Sequence, residues 1–322
     1  MWASLVRAHS LEYRGFSDDP SSKFYLPEEL TQKIFDASTG ICDAGVLATV
    51  SKSGRQHVRD RMEHVLKLTQ PPFSIPKNEL CNITSVLLFT KNINDNHMRT
   101  FATACANGAL AKVTKLTLRN NDIGDAGLAA LADACANGAL AQVTYLDLDN
   151  NDIGDAGLSA LATACANGAL AQGTTLALSW NSIGDAGLSA LATACANGAL
   201  AQATTLDLSW NGIGDVGLTA LADACAEGGL AQVTELDLCA NIIGDAGLTA
   251  LADACAKEAL AQVTELHLGE NNIGDAGLTA LADACANGAL ASLKELVMDD
   301  GPLGVDHPKL KAACEKRGIT LR

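Results

Sequence analysis

The chain reads as an α/β solenoid with parallel strands on one side and helices on the other, and three observations predict it. From residue 83 the sequence repeats every 30 residues. The block Val113-Thr-Lys-Leu116-Thr-Leu118-Arg-Asn-Asn121-Asp-Ile123-Gly124-Asp125-Ala-Gly127-Leu128 returns at 143, 173, 203, 233 and 263, after a degenerate copy from Ile83 and before a truncated one from Leu293. Each copy switches from alternating apolar residues, the spacing of a strand, to an i, i+3, i+4, i+7 stripe, the spacing of a helix. Large hydrophobes recur at fixed repeat positions, which suits one continuous core. Chains of this kind stack each unit on its neighbours and use the resulting surface for binding.

Within one copy, Val113 leads into Leu116-Thr-Leu118, whose alternation predicts a strand. Ile123 closes the turn that follows. Asp125 precedes Ala126-Gly127-Leu128, and its side chain is expected to accept from the free amides of that helix start. Leu128, Leu131, Ala132 and Cys135 form the buried stripe of a short helix. Asn137-Gly138 ends the helix, glycine being suited to the left-handed cap. Leu140 brings the chain back to the core. Four segments in 30 residues force successive strands to run parallel.

Eleven cysteines are present. Seven of them (Cys105, Cys135, Cys165, Cys195, Cys225, Cys255 and Cys285) are one position of the repeat, expected on neighbouring helices. Packed helix axes lie about 8–10 Å apart, whereas a disulfide needs Cα atoms within about 7 Å. These thiols are therefore read as small core residues in a reducing compartment. There is no CxxC pair, and one thiolate per unit does not close a tetrahedral metal site. Asn121, Asn151, Asn181, Asn211, Asn241 and Asn271 form a second ladder at the bend after the strand. There an amide side chain can donate to and accept from backbone groups at once. The first unit has Lys91 at this position and the last has Gly301.

The pattern LxxLxLxxNxIGDxGLxxLxxAC resembles the ribonuclease-inhibitor type of leucine-rich repeat over residues 83–299. The resemblance implies a curved solenoid, with the parallel sheet on its concave side and helices on its convex side. The region 83–322 is expected to hold about eight units, terminal caps included. The tail from Asp306 to Leu321 resembles the usual end of such a solenoid, a last helix with Pro308 in its first turn and a short edge strand.

Residues 1–82 differ in texture, and five of the seven prolines lie between Phe16 and Pro76. Leu26-Pro27-Glu-Glu-Leu30-Thr-Gln-Lys-Ile34-Phe35 predicts a helix. Helical pattern continues over 44–68, and Gln70-Pro-Pro72 with Ile75-Pro76 reads as a linker. The stretch resembles an F-box. The resemblance implies that Leu26, Pro27, Leu30, Ile34 and Val50 dock a Skp-type adaptor of a cullin-RING ubiquitin ligase. Gly54 stands where that motif usually has Trp, and the Leu-Pro that normally follows the first helix is absent. The alternative is a helical cap covering the first repeat.

The net charge is −15. Residues 1–82 carry ten basic and ten acidic side chains, so the excess lies on the repeats, and no Lys, Arg or His occurs between Arg119 and Lys257. Phosphate binding needs cations to replace counterions, so nucleic acid and anionic membrane are excluded as partners of this stretch. No apolar run reaches the ~18 residues of a membrane span, and the sequence from Met1 to Arg7 lacks the pattern of a signal peptide. A cytoplasmic or nuclear location is expected, with a protein partner of basic or mixed surface.

Outward strand positions line the concave face in four columns, which vary while the core positions hardly do. Trp180 and Trp210 are adjacent copies of one rim position, and tryptophan is enriched at binding hot spots. Tyr145, Asp147, Asp149 and Asp207 precede an acidic field of Glu235, Asp237, Glu265, Glu270, Glu295, Asp299 and Asp300. His267 stands among these acids. A single imidazole on an open face is read as a surface residue, so no catalytic group, metal or cofactor is expected. Asp147-Leu-Asp149-Asn-Asn151-Asp152 has part of a calcium-loop spacing, but Asp152 and Leu158 stand where Gly and Glu are required. The chain is read as a protein-binding module, either as the substrate-recognition subunit of a ubiquitin ligase or as a free scaffold or inhibitor. Ran-type GTPase activators share the repeat type and supply a third reading.

Overall fold

The computed structural model describes residues 68, 70–75, 83–298 and 305–322. Nine strands occur among the described residues: β1 (Ser85–Leu87), β2 (Lys115–Thr117), β3 (Tyr145–Asp147), β4 (Thr175–Ala177), β5 (Thr205–Asp207), β6 (Glu235–Asp237), β7 (Glu265–His267), β8 (Glu295–Val297) and β9 (Thr320–Leu321). They form one sheet in chain order, parallel throughout, with each residue from β1 to β8 beside its copy 30 positions on, as Lys115 beside Tyr145. Between them lie α1 (Asp95–Ala106), α2 (Asp125–Ala136), α3 (Asp155–Ala166), α4 (Asp185–Ala196), α5 (Asp215–Ala226), α6 (Asp245–Cys255), α7 (Asp275–Ala286) and α8 (Pro308–Arg317). This is the leucine-rich-repeat solenoid expected from the sequence.

Each unit buries the stripe its periodicity predicts. Leu116, Leu118, Ile123, Leu128, Leu131, Ala132, Cys135 and Leu140 are all buried, and so are their counterparts in the next three units. Helix α2 ends at Asn137, and Gly138 follows with φ +89°, a conformation that glycine adopts without steric cost. The seven repeat cysteines are buried and in no disulfide. Burial pushes the Cys135 thiol up to about 11 and those of Cys165, Cys195, Cys225 and Cys255 up to about 12. They are protonated core residues.

The asparagine ladder stitches neighbouring units. Asn151 Nδ2 donates to the Leu118, Leu148 and Asp149 carbonyls, and its Oδ1 accepts from the Ile123 amide at 3.1 Å. A buried bend in one repeat is thus satisfied by a side chain of the next.

The aspartate at each helix start acts differently from the sequence expectation. The residue preceding α2 is Gly124, which has no side chain to cap it. Asp125 is the first helical residue, and its Oδ1 accepts from the Gly154 and Gly157 amides at the start of α3. Asp95, Asp155, Asp185, Asp215 and Asp245 do the same for the helices after theirs. Stacking brings the neighbour's carboxylate closer to the exposed amides than the helix's own side chain. The ends need other caps. Helix α1 is capped by Asn94 with His97. At α8, His307 Nδ1 accepts from the Leu310 amide while Nε2 meets Asp275 at 3.1 Å.

Two further features bear on stability. In the stretch read as a linker, Phe73 and Ile75 are buried, and the Phe73 ring lies 5.6 Å from that of Phe101 in α1. Where other units have Val, the third and fourth full repeats have Gly173 and Ala203, and a small apolar cavity opens there, also lined by Leu170, Leu176 and Leu200. The F-box-like positions Leu26, Pro27, Leu30, Ile34 and Val50, and also Asp299, Asp300 and Gly301, lie outside the described residues. No helix among the described residues is long and apolar enough to cross a membrane.

Candidate functional site: the concave sheet face

Strands of three residues present few outward positions per unit, so the face is a grid of columns 30 residues apart. The rim column carries Asn120, Asn150, Trp180, Trp210, Ala240 and Glu270, each with φ between +50° and +55°. Asparagine tolerates this left-handed region; a bulky aromatic does so only with strain. Trp180 and Trp210 nevertheless occupy it, with rings stacked at 4.0 Å and 8° between planes. They remain 51% and 41% exposed. The core does not account for these rings, and the backbone disfavours them.

The acidic residues are less solvated than their number suggests. Asp147 is only 3% exposed. Its Oδ1 accepts from the Asp149 amide at 3.3 Å, and Asp149 Oδ1 accepts from the Ser179 amide at 2.9 Å. Asp207 Oδ1 accepts from the Ser209 amide and hydroxyl. Burial is the main force pushing all three carboxyls above their usual range. Tyr145 also titrates high, from burial and then the charges of Asp147 and Asp149. The Lys115 ammonium sits 4.2 Å from the Tyr145 ring centre, so the basic end of the face and Tyr145 are one contact.

Further along, Asp237 Oδ2 lies 3.4 Å from His267 Nδ1. Burial alone would raise the Asp237 carboxyl, but hydrogen bonds from His267 and from the Cys239 amide outweigh it and hold it below the usual range. His267 is pushed up by its hydrogen bond to Asp237, against partial burial and with help from Glu235 and Glu265. Glu235 accepts from the Thr205 hydroxyl at 3.4 Å. Glu295 pairs with Arg322 at 3.1 Å, while Glu265 and Glu270 are exposed.

The structure thus brings Trp180 to Trp210, and His267 to Asp237 with Glu235 and Glu265 nearby. It leaves Tyr145 and Glu295 at opposite ends. Sequence reasoning missed Cys239, whose Sγ joins Asp237 and His267 in a cluster with ligating atoms all within 4.8 Å. Cys239 and His267 fall in different columns of adjacent repeats, and pairing columns diagonally would have found them.

A Leucine Rich repeat family model matches residues 109–132, 142–162, 174–192, 204–222 and 262–282. No curated protein matches the chain. Among solved structures, it is similar to the functional domain of InlJ from Listeria monocytogenes, which includes a cysteine ladder, at 16% identity and TM-score 0.31, covering 74% of this chain and 53% of that one. It is similar to the internalin inlF from Listeria monocytogenes str. 4b F2365 at 16% identity and TM-score 0.27, covering 80% and 93%. It is also similar to the Arabidopsis receptor kinase HAESA, in complex with the peptide hormone IDA and the co-receptor SERK1, at 13% identity and TM-score 0.35, covering 68% and 38%.

Proposed function

Taking the chain as a leucine-rich-repeat protein, we propose that it binds a partner protein of basic or mixed surface on its concave face and performs no chemistry of its own. The observation that carries this reading is the Trp180–Trp210 stack. Two large rings sit half exposed at backbone positions that disfavour them, and backbone strain of this kind persists where function over-determines it. Around them runs a stretch with no Lys, Arg or His from Asn120 to Ala256. A stacked aromatic platform beside carboxylates suits Arg or Lys side chains, which gain from cation–π contact and charge together. The 30-residue period and the full helix in each unit support the ribonuclease-inhibitor subtype.

The test is proximity labelling with the full chain and with a Trp180→Asn/Trp210→Asn variant. Both substitutions restore the residue found at Asn120 and Asn150, so folding is retained. Partners lost in the variant, and weakened in high salt, support the reading; an unchanged partner set overturns it. The ligase role rests on the F-box resemblance alone. Retention of a Skp-type adaptor by the full chain, lost with Leu30→Ala and Ile34→Ala, supports it; failure to retain the adaptor favours the scaffold.

A further inference from the structure

We propose that Asp237, Cys239 and His267 form a binding site for a divalent transition ion of the zinc type, with a fourth position open to solvent. The ligating atoms of the three side chains lie within 4.8 Å of one another. Zinc bonds of about 2.0–2.3 Å in a tetrahedron put ligand atoms roughly 3.3–3.8 Å apart. Small side-chain rotations close that gap. A thiolate, an imidazole and a carboxylate are the borderline donor set that selects zinc over calcium or magnesium.

The site is pre-arranged by the repeat. Asp237 Oδ1 accepts from the Cys239 amide at 2.9 Å, which leaves Oδ2 turned to His267 Nδ1 at 3.4 Å. The preceding unit has the same local turn, Asp207 Oδ1 accepting from the Ser209 amide at 3.0 Å. Cys239 therefore replaces a serine in a conformation the repeat already encodes. The next unit has Gly269 at this position, which places no side chain beside the thiol. Among the described cysteines Cys239 alone is not buried. The seven repeat thiols are enclosed in the core, whereas Cys239 opens on a face whose acids attract cations and whose Asn120–Ala256 stretch offers no competing ammonium or guanidinium.

Binding replaces protons with metal. The Cys239 thiol proton, and the second imidazole proton where His267 is charged, pass to solvent as Sγ and a ring nitrogen donate their electron pairs to the ion. Asp237 binds as the carboxylate it already is. The metal neutralises the thiolate and the carboxylate, and joins β6 and β7 through side chains.

Cobalt(II) titration of the tag-free, reduced, chelator-stripped full chain tests this. Expected are one equivalent bound, a thiolate-to-cobalt charge-transfer band in the near ultraviolet, tetrahedral bands in the visible, and loss of all of them on adding zinc. Cys239→Ser should abolish the charge-transfer band. His267→Ala should weaken binding at least about tenfold, as loss of even an outer partner of a metal ligand does. Ser209 and Ala177 are the native residues at equivalent positions, so both variants keep the fold. Absence of a band at one equivalent, or its persistence in Cys239→Ser, overturns the proposal.

Discussion

Asp125 and Gly157 are joined across two repeats: the Asp125 Oδ1 accepts the Gly157 amide at 2.8 Å, and the Gly154 amide at 2.7 Å. The aspartate belongs to one helix and caps the next. A side chain on Gly157 would collide with its partner, since a Cβ there would stand 2.7 Å from Asp125 Oδ1 and 3.0 Å from Asp125 Cα. The Gly-Asp-x-Gly turn is therefore one device with two parts, a carboxylate and the empty space that receives it.

Gly157→Ala should consequently destabilise the chain. In an ordinary helix interior this change gains up to about 1 kcal/mol. Here the collision displaces a cap worth about 1 kcal/mol, so the net effect turns unfavourable, by roughly 1–2 kcal/mol. Urea unfolding measures it. In an Asp125→Ala background, where the cap is already lost, the same Gly157→Ala change should become neutral or stabilising. Equal effects in both backgrounds would refute the coupling.

The tryptophan stack yields a prediction of near cancellation. Trp180→Ala loses an aromatic pair worth about 0.5–1.5 kcal/mol and keeps the left-handed strain. Trp180→Asn loses the same pair but relieves strain of about 1–2 kcal/mol. The alanine variant should melt lower and the asparagine variant close to the parent. Thermal unfolding followed by circular dichroism distinguishes them, and a collapse of the fold in both would mark the rings as packing.

The 30-residue period made the solenoid legible because every core position must fit an identical neighbour. Leu116, Ile123, Leu128 and Cys135 are buried as their spacing requires. The Asn151 role was legible too, since a bend needs a group that both donates and accepts. The destination of Asp125 was not. Local sequence shows an aspartate at a helix start, while the amides it serves lie 29 and 32 residues away. Register across the stack, which decides this, is a property of packing. The same holds for Cys239 beside His267, and for Asp147, which alternation places on the open face and neighbours then cover.

Ala203→Val should stabilise the solenoid. Ala203 lines the apolar cavity with Gly173, Leu170, Leu176 and Leu200, and four other repeats have Val113, Val143, Val233 or Val263 at its position. Two added methyl groups of buried area contribute on the order of 1 kcal/mol. A raised urea midpoint with unchanged slope is expected. A lowered midpoint would mean the surrounding leucines have already closed on the smaller residue.

Asp147 and Asp149 predict an unusual pH dependence. Burial raises both carboxyls, with the mutual charge adding for Asp149 and Arg119 and Lys115 opposing for Asp147. A carboxyl whose pKa is raised on folding holds its proton more tightly in the folded state. Each therefore favours folding while protonated, and each lowers stability as pH rises from the ordinary value of about 3.9 through the raised one. Asp147→Asn mimics the protonated form, and its Oδ1 can still accept from the Asp149 amide. It should stabilise the chain at pH 7 and make no difference below the ordinary carboxyl range. Urea unfolding of both proteins across that interval measures the gap. If the asparagine variant is the less stable at neutral pH, the ionised Asp147 is a net stabilising acceptor, and the desolvated acidic row along this face does not oppose folding.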